Sequence, residues 1–238
     1  MAEMPSRDAA PCRTVIRREV DKRARNGDDA AMELVHELDI RPGITSVVGS
    51  GGKTTLLAVL ARGIGGTVAL TTTTHVRPFP GVETFARAPF APRVGCVGTP
   101  ADDGKLAAPA QSPEEIASYC RYVLVEADGS RGLPLKAHAE WEPVIPAGST
   151  QTILVVGASG FGHPVREVAH RPEIFCAVAG CDPGDIATPE LVSRVLRAEA
   201  LANRLVVNQA DTPELIGQAC ELGELMGIPY WAGSLIRI

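Results

Sequence analysis

The residues with the clearest chemical meaning are the seven at positions 49–55, which read GSGGKTT and directly follow the apolar run 44–48. Glycines in such a turn let the backbone point its amide groups inward and approach phosphates closely. If the apolar run is a strand and Lys53 opens a helix, the helix amino terminus adds partial positive charge there. Lys53 would then reach the β- and γ-phosphates of a nucleoside triphosphate, and Thr54 would offer its hydroxyl to Mg²⁺. The predicted nucleotide-binding residues of this glycine loop are Gly49, Ser50, Gly51, Gly52, Lys53, Thr54 and Thr55.

The spacing of the glycine loop departs from the common GxxxxGK[ST] pattern, because Val47 stands where that pattern places glycine. The shorter GxGGKT form is similar to the compact GTxGKT loop of the Mur peptide ligases and to loops of deviant-Walker P-loop proteins. An ordinary glycine turn between a strand and a helix is the alternative interpretation. The buried-type run directly before GGKTT favours the phosphate loop.

Two acidic residues follow a second apolar run, in the stretch YVLVEADG at 122–129. A phosphate site needs a carboxylate from a neighbouring strand end to position Mg²⁺. Glu126 is the first choice for this role together with Thr54, and Asp128 is the second. Either acid could instead activate a water molecule or cap the following turn.

Two cations come next, Arg131 and Lys136. Either could stabilise charge on a transferring phosphoryl group or receive an anionic substrate. Salt bridges to the two acids are an equally good interpretation. The predicted catalytic residues are Lys53, Glu126, Asp128 and Arg131.

The row of hydroxyls that follows the apolar run 68–70 ends in Thr73, Thr74 and His75. These side chains would line the site if that strand ends beside the glycine loop. Strand residues followed by a loop histidine would give the same letters, so their role stays open.

A fourth stretch, Asn208-Gln209-Ala210-Asp211, resembles the NKxD element with which GTPases read guanine. Gln209 replaces the lysine of that element, so a preference for guanine is not established. Asn208 and Asp211 are predicted to bind the nucleotide; the alternative is an Asx turn that caps the next helix.

Several other kinds of site are excluded by the pattern. The glycines in GASGFG at 157–162 have the reverse of the GxGxxG spacing, so a dinucleotide fold is rejected. Six scattered cysteines form no CxxC pair and read as reduced thiols. A net charge of −5 disfavours a general nucleic-acid partner, and no apolar segment approaches a membrane span of about 20 residues. We expect a cytoplasmic protein.

Short β-branched runs alternate with helical stretches along the chain, which is typical of an α/β fold with a parallel sheet. We predict a three-layer P-loop NTPase-like architecture whose sheet of six or seven strands is flanked by helices. Residues 1–27 are polar and are predicted to form a flexible arm before a single domain at 28–238. The predicted strands are 44–48, 68–72, 94–97, 122–126, 153–156, 205–208 and 228–231. The predicted helices are 28–38, 53–62, 113–120, 170–179, 189–200 and 213–226.

Five stretches together resemble the YqeC family, described as accessory proteins of selenium-dependent molybdenum hydroxylases. They are GSGGKTT, LTTTTH, VLVEADGSRGLPLKAHAEWEPVIP, HRPEIFCAVAG and NQAD, and the resemblance covers roughly residues 30–235. It implies a P-loop NTPase-like fold and a supporting role in maturing a molybdenum hydroxylase or handling its cofactor, sulfur or selenium. Family members commonly have lysine at the position of His75 and an NKxD-like element, so nucleotide specificity does not transfer.

Three functions follow as hypotheses. The leading one is a maturation factor that binds, and is expected to hydrolyse, ATP or GTP with Mg²⁺, and whose partner is a molybdenum hydroxylase client or its cofactor. The second is a small ATP-dependent ligase or phosphotransferase with a Mur-like loop. The third is a binding module that keeps its nucleotide without turnover.

Overall fold

The computed structural model describes residues 15–16, 27–102 and 104–238. This part of the chain contains seven α-helices and fourteen strands. The helices are α1 (Gly27–Glu37), α2 (Lys53–Gly63), α3 (Pro113–Ala117), α4 (Val165–Val168), α5 (Pro172–Ala179), α6 (Pro189–Glu199) and α7 (Pro213–Met226). The strands are β1 (Val15–Ile16), β2 (Gly43–Gly49), β3 (Val68–Thr72), β4 (His75–Val76), β5 (Thr84–Phe85), β6 (Val94–Val97), β7 (Thr99–Pro100), β8 (Leu106–Ala107), β9 (Tyr122–Glu126), β10 (Leu135–Lys136), β11 (Ser149–Gly157), β12 (Ala169–His170), β13 (Arg204–Asn208) and β14 (Tyr230–Ala232).

The central sheet has nine strands in the order β1-β14-β13-β11-β2-β9-β3-β6-β5, and every neighbouring pair is parallel. All seven predicted strands are present in it. The sheet has two strands more than the seven predicted, because β1 and β5, with two residues each, extend its two edges. Most of the predicted arm 1–27 lies outside the described residues, but Val15–Ile16 pairs with β14. Parallel strands present their carboxyl ends at one edge, which is where ligands bind in such sheets.

Helices cover both faces of the sheet, as a three-layer fold requires. Neighbouring residues of β2 show the two cores directly: Val47 packs among residues of α1 and α2, whereas Val48 packs among residues of α3, α5, α6 and α7. Successive side chains of a strand point to opposite faces, so a run of apolar residues serves both cores. The predicted α/β layer architecture is confirmed.

Helix starts largely follow the capping signals in the sequence. Ser112, Thr188 and Thr212 each accept a hydrogen bond from the backbone amide three residues on, with proline following at the first helical position. The helix predicted at 170–179 begins two residues later because His170 pairs within β12 and Arg171 is left-handed. The helix predicted at 113–120 ends at Ala117.

The proline- and glycine-rich stretches 78–92 and 99–112 contain β5, β7 and β8, and β7 and β8 join β4 in a small antiparallel sheet. A second small sheet pairs β10 with β12 in parallel. Among the described residues, every cysteine carries a free thiol. No helix in this part of the chain has the length and apolarity needed to cross a membrane.

Candidate functional site

The glycine loop lies between β2 and α2 at the carboxyl edge of the sheet. Gly49, Gly51 and Gly52 have φ values of +95°, +88° and +125°, which residues with a Cβ rarely adopt. A Cβ at Gly51 would also overlap the backbone of Gly157, because the loop is pressed against the end of β11. The fold itself therefore requires these glycines. Their contacts with phosphate stay a prediction.

Lys53 is buried, and its ammonium points at Glu126, the last residue of β9, and at Asp128 just after it. Its ammonium donates to the Gly49 carbonyl at 2.7 Å and to the Ser130 hydroxyl at 3.0 Å. It lies 3.1 Å from Asp128 Oδ1 and 3.9 Å from Glu126 Oε1. The structure thus brings together Lys53, which follows β2, and the two acids, which lie at the end of β9 and just after it.

Thr54 and Glu126, the predicted metal pair, contact each other directly. The Thr54 hydroxyl donates to Glu126 Oε2 at 2.9 Å. Burial raises the pKa of Glu126, while the charge of Lys53 and the hydrogen bond from Thr54 oppose the rise. A cation with strong charge at this position would favour the ionised carboxylate.

The donor set fits Mg²⁺ held jointly by protein and phosphate. Within the described residues, no group of three or more His, Cys, Asp or Glu side chains could hold a metal ion alone. Mg²⁺ typically takes one or two protein oxygens and completes its shell with water and substrate phosphates. Thr54 and Glu126 would supply such oxygens.

Asp128 is the centre of the buried charges, with 0% of its surface exposed. Its Oδ2 accepts from the Gly49 amide at 2.9 Å and from the Lys136 ammonium at 2.9 Å, and it lies 2.7 Å from His138 Nε2. Burial opposes ionisation, but His138, Lys53 and Lys136 outweigh it and lower the pKa of Asp128. Asp128 therefore stays ionised and ties the glycine loop to the chain after β9.

Sequence reasoning missed His138 and Glu199 as members of this network. His138 Nδ1 lies 2.8 Å from Glu199 Oε2 at the end of α6, and its amide donates to Glu199 Oε1 at 2.7 Å. Burial lowers the pKa of His138, but the hydrogen bonds to Asp128 and Glu199 raise it above its ordinary value overall. The alternation of charges in the stretch KAHAE was the available signal, although it did not identify Glu199 as a partner.

Lys136, whose role the sequence left open, takes part in salt bridges. Besides Asp128, its ammonium contacts Glu142 Oε2 at 2.7 Å and the Gly129 carbonyl. Glu142 also accepts from Arg171 at 2.6 Å. Burial raises the pKa of Glu142, but Arg171 and Lys136 lower it below its ordinary value overall.

Residues 129–134, here called the strap, cross the glycine loop. The Ser50 hydroxyl donates to the Leu133 carbonyl, and Lys53 contacts Ser130 as described above. Arg131 is exposed on the strap, and the structure shows no contact between its side chain and Glu126 or Asp128. A phosphate group on the loop would compete with the strap for the Ser50 hydroxyl and the Lys53 ammonium.

The hydroxyl row after β3 supports the strand end that carries Glu126. The Thr72 hydroxyl donates to the Glu126 carbonyl at 2.8 Å, and the Thr73 hydroxyl donates to the Val144 carbonyl at 2.7 Å. The Thr74 amide donates to Thr72 Oγ1 at 3.0 Å. His75 is exposed in β4.

Asn208 and Asp211 have separate positions. Asn208 is buried, and its side chain donates to the Gly51 carbonyl at 2.7 Å and accepts from the Leu235 amide at 2.9 Å. Asp211 lies at the surface, 3.8 Å from Arg237. Thr212, and not either of these residues, caps α7. Asn208 therefore fixes the glycine loop, and base recognition by this pair stays a prediction.

Fold and site define a parallel α/β protein with a lysine-bearing glycine loop and buried acids at the carboxyl edge of its sheet. A family model described as "YqeC protein" matches residues 45–173. A relative from Escherichia coli (strain K12), described as "Uncharacterized protein YqeC", is 38% identical over an alignment of 178 residues, and the match covers 66% of this chain and 68% of that protein. The chain belongs to the YqeC family. The match at 45–173 contains the glycine loop, both acids and the strap, whereas Asn208 and Asp211 lie beyond it.

Proposed function

We propose that this protein binds a nucleoside triphosphate with Mg²⁺ on the glycine loop and hydrolyses it. The observation that carries the proposal is the position of the Lys53 ammonium, which lies within 4 Å of both Asp128 and Glu126 at the start of α2. A buried ammonium at a helix amino terminus gives a strong site for a polyanion. Thr54 and Glu126, in contact beside it, complete the elements that metal-assisted phosphate binding needs.

Binding requires Lys53 to exchange partners. Phosphate oxygens take the places of the Gly49 carbonyl and the Ser130 hydroxyl, while Asp128 keeps Lys136 and His138 as partners. Thr54 and Glu126 would hold Mg²⁺ beside the phosphates, where the ion would supply neutralising charge. Lys53 then pairs with the phosphates instead of with Asp128.

The strap supplies the last predicted catalytic residue. Displacement of Ser130 and Leu133 by phosphates moves the strap. Among the described residues, no atom beyond the adjacent residues lies within 4 Å of a Cβ built at Gly129 or Gly132. Arg131, between these glycines, would then stabilise charge on the terminal phosphate or receive an anionic substrate beside it. Arg131 therefore acts after the nucleotide is bound.

Calorimetry of the purified protein with ATP, GTP and CTP, each with Mg²⁺, tests the proposal. Lys53→Met is expected to lose about ten- to a hundredfold in affinity, since a charge-assisted hydrogen bond contributes on the order of 1.5 to 3 kcal/mol. Lys105→Met, at a lysine of the β7–β8 turn, is the matched control and should bind like the wild type. Equal affinity of Lys53→Met and the wild type, or no binding of any nucleotide by the wild type, contradicts the proposal.

The biological role we propose is assistance in maturing a selenium-dependent molybdenum hydroxylase, and it rests on the resemblance of the central block to YqeC proteins. Hydrolysis would alternate the strap between its contacts with the glycine loop and a displaced position, which gives a client or its cofactor two surfaces to distinguish. Loading of a hydroxylase apoenzyme with and without this protein and nucleotide is the test. Equal yields of active hydroxylase in both reactions contradict the role.

Phosphotransfer to a small molecule is a second candidate, and the surface around Trp141 favours it. Product analysis by mass spectrometry separates these functions. A hydrolase releases nucleoside diphosphate and inorganic phosphate, a phosphotransferase releases the diphosphate and leaves the phosphoryl group on the metabolite, and a diphosphate-forming ligase releases both while joining two substrates.

A further inference from the structure

Trp141 is an exposed aromatic ring close to the candidate site. Its surface is 73% exposed, whereas the chain's other tryptophan, Trp231, is buried. The Arg171 guanidinium lies 5.6 Å from the Trp141 ring centroid, in cation–π geometry on one face. Since so much of the ring stays exposed with Arg171 in place, a flat surface remains open to a ligand.

Arg171 is held in place by a series of ion pairs that leads to the glycine loop. It adopts a left-handed φ of +62° and contacts Glu142 at 2.6 Å. Glu142 contacts Lys136 at 2.7 Å, and Lys136 contacts Asp128 at 2.9 Å. The support of the Trp141 ring is therefore fixed before any ligand arrives, which lowers the entropic cost of binding.

The loop that carries Trp141 is attached to the sheet on the side where the terminal phosphate would lie. The Val144 amide donates to the Ala127 carbonyl just after β9, and the Val144 carbonyl accepts from Thr73 just after β3. Lys53 faces this side too, because it contacts the acids of the β9 end, whereas Asn208 lies two strands away from β2 in the other direction. Trp141 is therefore placed beyond the terminal phosphate, where a second substrate would bind.

Further cationic groups adjoin Arg171. The Arg131 amide lies 3.5 Å from His170 Nδ1. His170 precedes Arg171 in the chain and pairs with Lys136 in the β10–β12 sheet. Burial and the charges of Lys136, Arg171 and Arg131 lower the pKa of His170. The acid among them, Glu142, is already shared by two cations. Arg131 is exposed and can pair with an anionic group on a ligand.

We propose that Trp141, backed by Arg171, stacks a planar heteroaromatic ring of a second substrate whose anionic substituent pairs with Arg131. The position beyond the terminal phosphate rests on the proposed nucleotide function, whereas the stacking surface does not. Stacking suits any flat ring, because every such ring offers a π face, and the anionic group adds selection by charge.

Flavin probes test both features of the ligand. Riboflavin 5′-phosphate carries ring and anion, riboflavin carries the ring alone, and glycerol 3-phosphate carries the anion alone. Quenching of flavin fluorescence reports the first two, and competition against riboflavin 5′-phosphate reports the third, all with Mg²⁺ and a non-hydrolysable ATP or GTP analogue present. We expect affinity to fall in the order riboflavin 5′-phosphate, riboflavin, glycerol 3-phosphate.

Variants separate stacking from general effects. Trp141→Ala should weaken riboflavin 5′-phosphate binding about five- to a hundredfold. Trp141→Phe, which keeps a ring, should retain most of the affinity. Tyr119→Ala removes another exposed aromatic side chain, just past the end of α3, and should leave the affinity for riboflavin 5′-phosphate unchanged. Arg131→Ala should reduce the preference for the phosphorylated flavin while riboflavin affinity stays.

The results also distinguish failure of this inference from failure of the nucleotide proposal. The subsite is refuted if riboflavin 5′-phosphate does not bind the wild type, or binds Trp141→Ala equally well. If Trp141→Ala instead weakens nucleotide binding as strongly as Lys53→Met does, Trp141 stacks the nucleotide base and the second-substrate assignment is refuted. If nucleotides fail to bind but Trp141-dependent flavin binding persists, the stacking site stands and the nucleotide proposal falls.

Discussion

Replacing Asp128 by asparagine removes a fully buried negative charge on which two lysines and a histidine converge. Asparagine keeps the size of the side chain and one carbonyl oxygen, so the Gly49 amide can retain an acceptor. Lys53 and Lys136, at 3.1 and 2.9 Å, lose their charge partner, as does His138 at 2.7 Å. Removing one partner of a buried ion pair costs about 3 to 5 kcal/mol, because the remaining charge is left without compensation.

That cost is a large share of the total stability of a protein, about 5 to 15 kcal/mol. For a chain of this size each kcal/mol lowers the melting temperature by roughly 2 to 4 °C, so Asp128→Asn should melt about 6 to 20 °C below the wild type. Urea unfolding followed by circular dichroism measures the free energy of unfolding, and a thermal scan measures the melting temperature. Both should be recorded without nucleotide.

The matched control is Asp39→Asn, which breaks an ion pair with Arg41 at a shorter distance of 2.6 Å but at the surface. Solvent screens such a pair, so this variant should unfold like the wild type. The reasoning is refuted if Asp128→Asn loses less than about 1 kcal/mol of unfolding free energy, or if the two variants lose equal amounts.

Three further predictions follow from the site. The pKa of His138 is raised in the folded protein, so its contribution to stability is complete below its unfolded pKa of about 6.5 and is lost as pH rises through the higher folded value. His138→Gln should therefore make the free energy of urea unfolding depend less on pH across that range. An unchanged pH dependence would contradict the assignment. Gly51→Ala should destabilise the fold by at least 1 kcal/mol in the same assay, because its φ is +88° and the added methyl meets Gly157; a melting temperature equal to the wild type would show that the loop backbone differs. Thr54→Val should raise the Mg²⁺ concentration needed for nucleotide binding several-fold, since the hydroxyl beside Glu126 is lost; identical Mg²⁺ titrations would exclude Thr54 as a metal ligand.

The sequence predicted the interior of the sheet better than its edges. Residues 44–48 and 123–126 are buried, so these strands are rich in β-branched and other apolar residues and are easy to recognise. The edge strands Val15–Ile16 and Thr84–Phe85 have only two residues each, and such short pairs leave no pattern in the chain. Pairing of His170 with Lys136 in the β10–β12 sheet likewise moves the start of the helix predicted at 170–179 to Pro172.

The convergence of Lys53 with Glu126 and Asp128 was predictable, because carboxyl ends of parallel strands meet at one edge of a sheet. The contact between His138 and Glu199 was not, since it joins residues 61 positions apart and depends on where α6 ends. The strap shows the same limit: the letters of residues 129–134 suggest a polar loop, and only the fold places it across Ser50 and Lys53.

The most direct test of the central claim is a crystal structure of the protein with Mg²⁺ and a non-hydrolysable ATP or GTP analogue. The account predicts phosphate oxygens within hydrogen-bond distance of the Lys53 ammonium and of the loop amides at 50–54, with Ser130 displaced from the lysine. A nucleotide bound elsewhere, or a Lys53 ammonium that still donates to the Gly49 carbonyl and Ser130 with the nucleotide present, would contradict it.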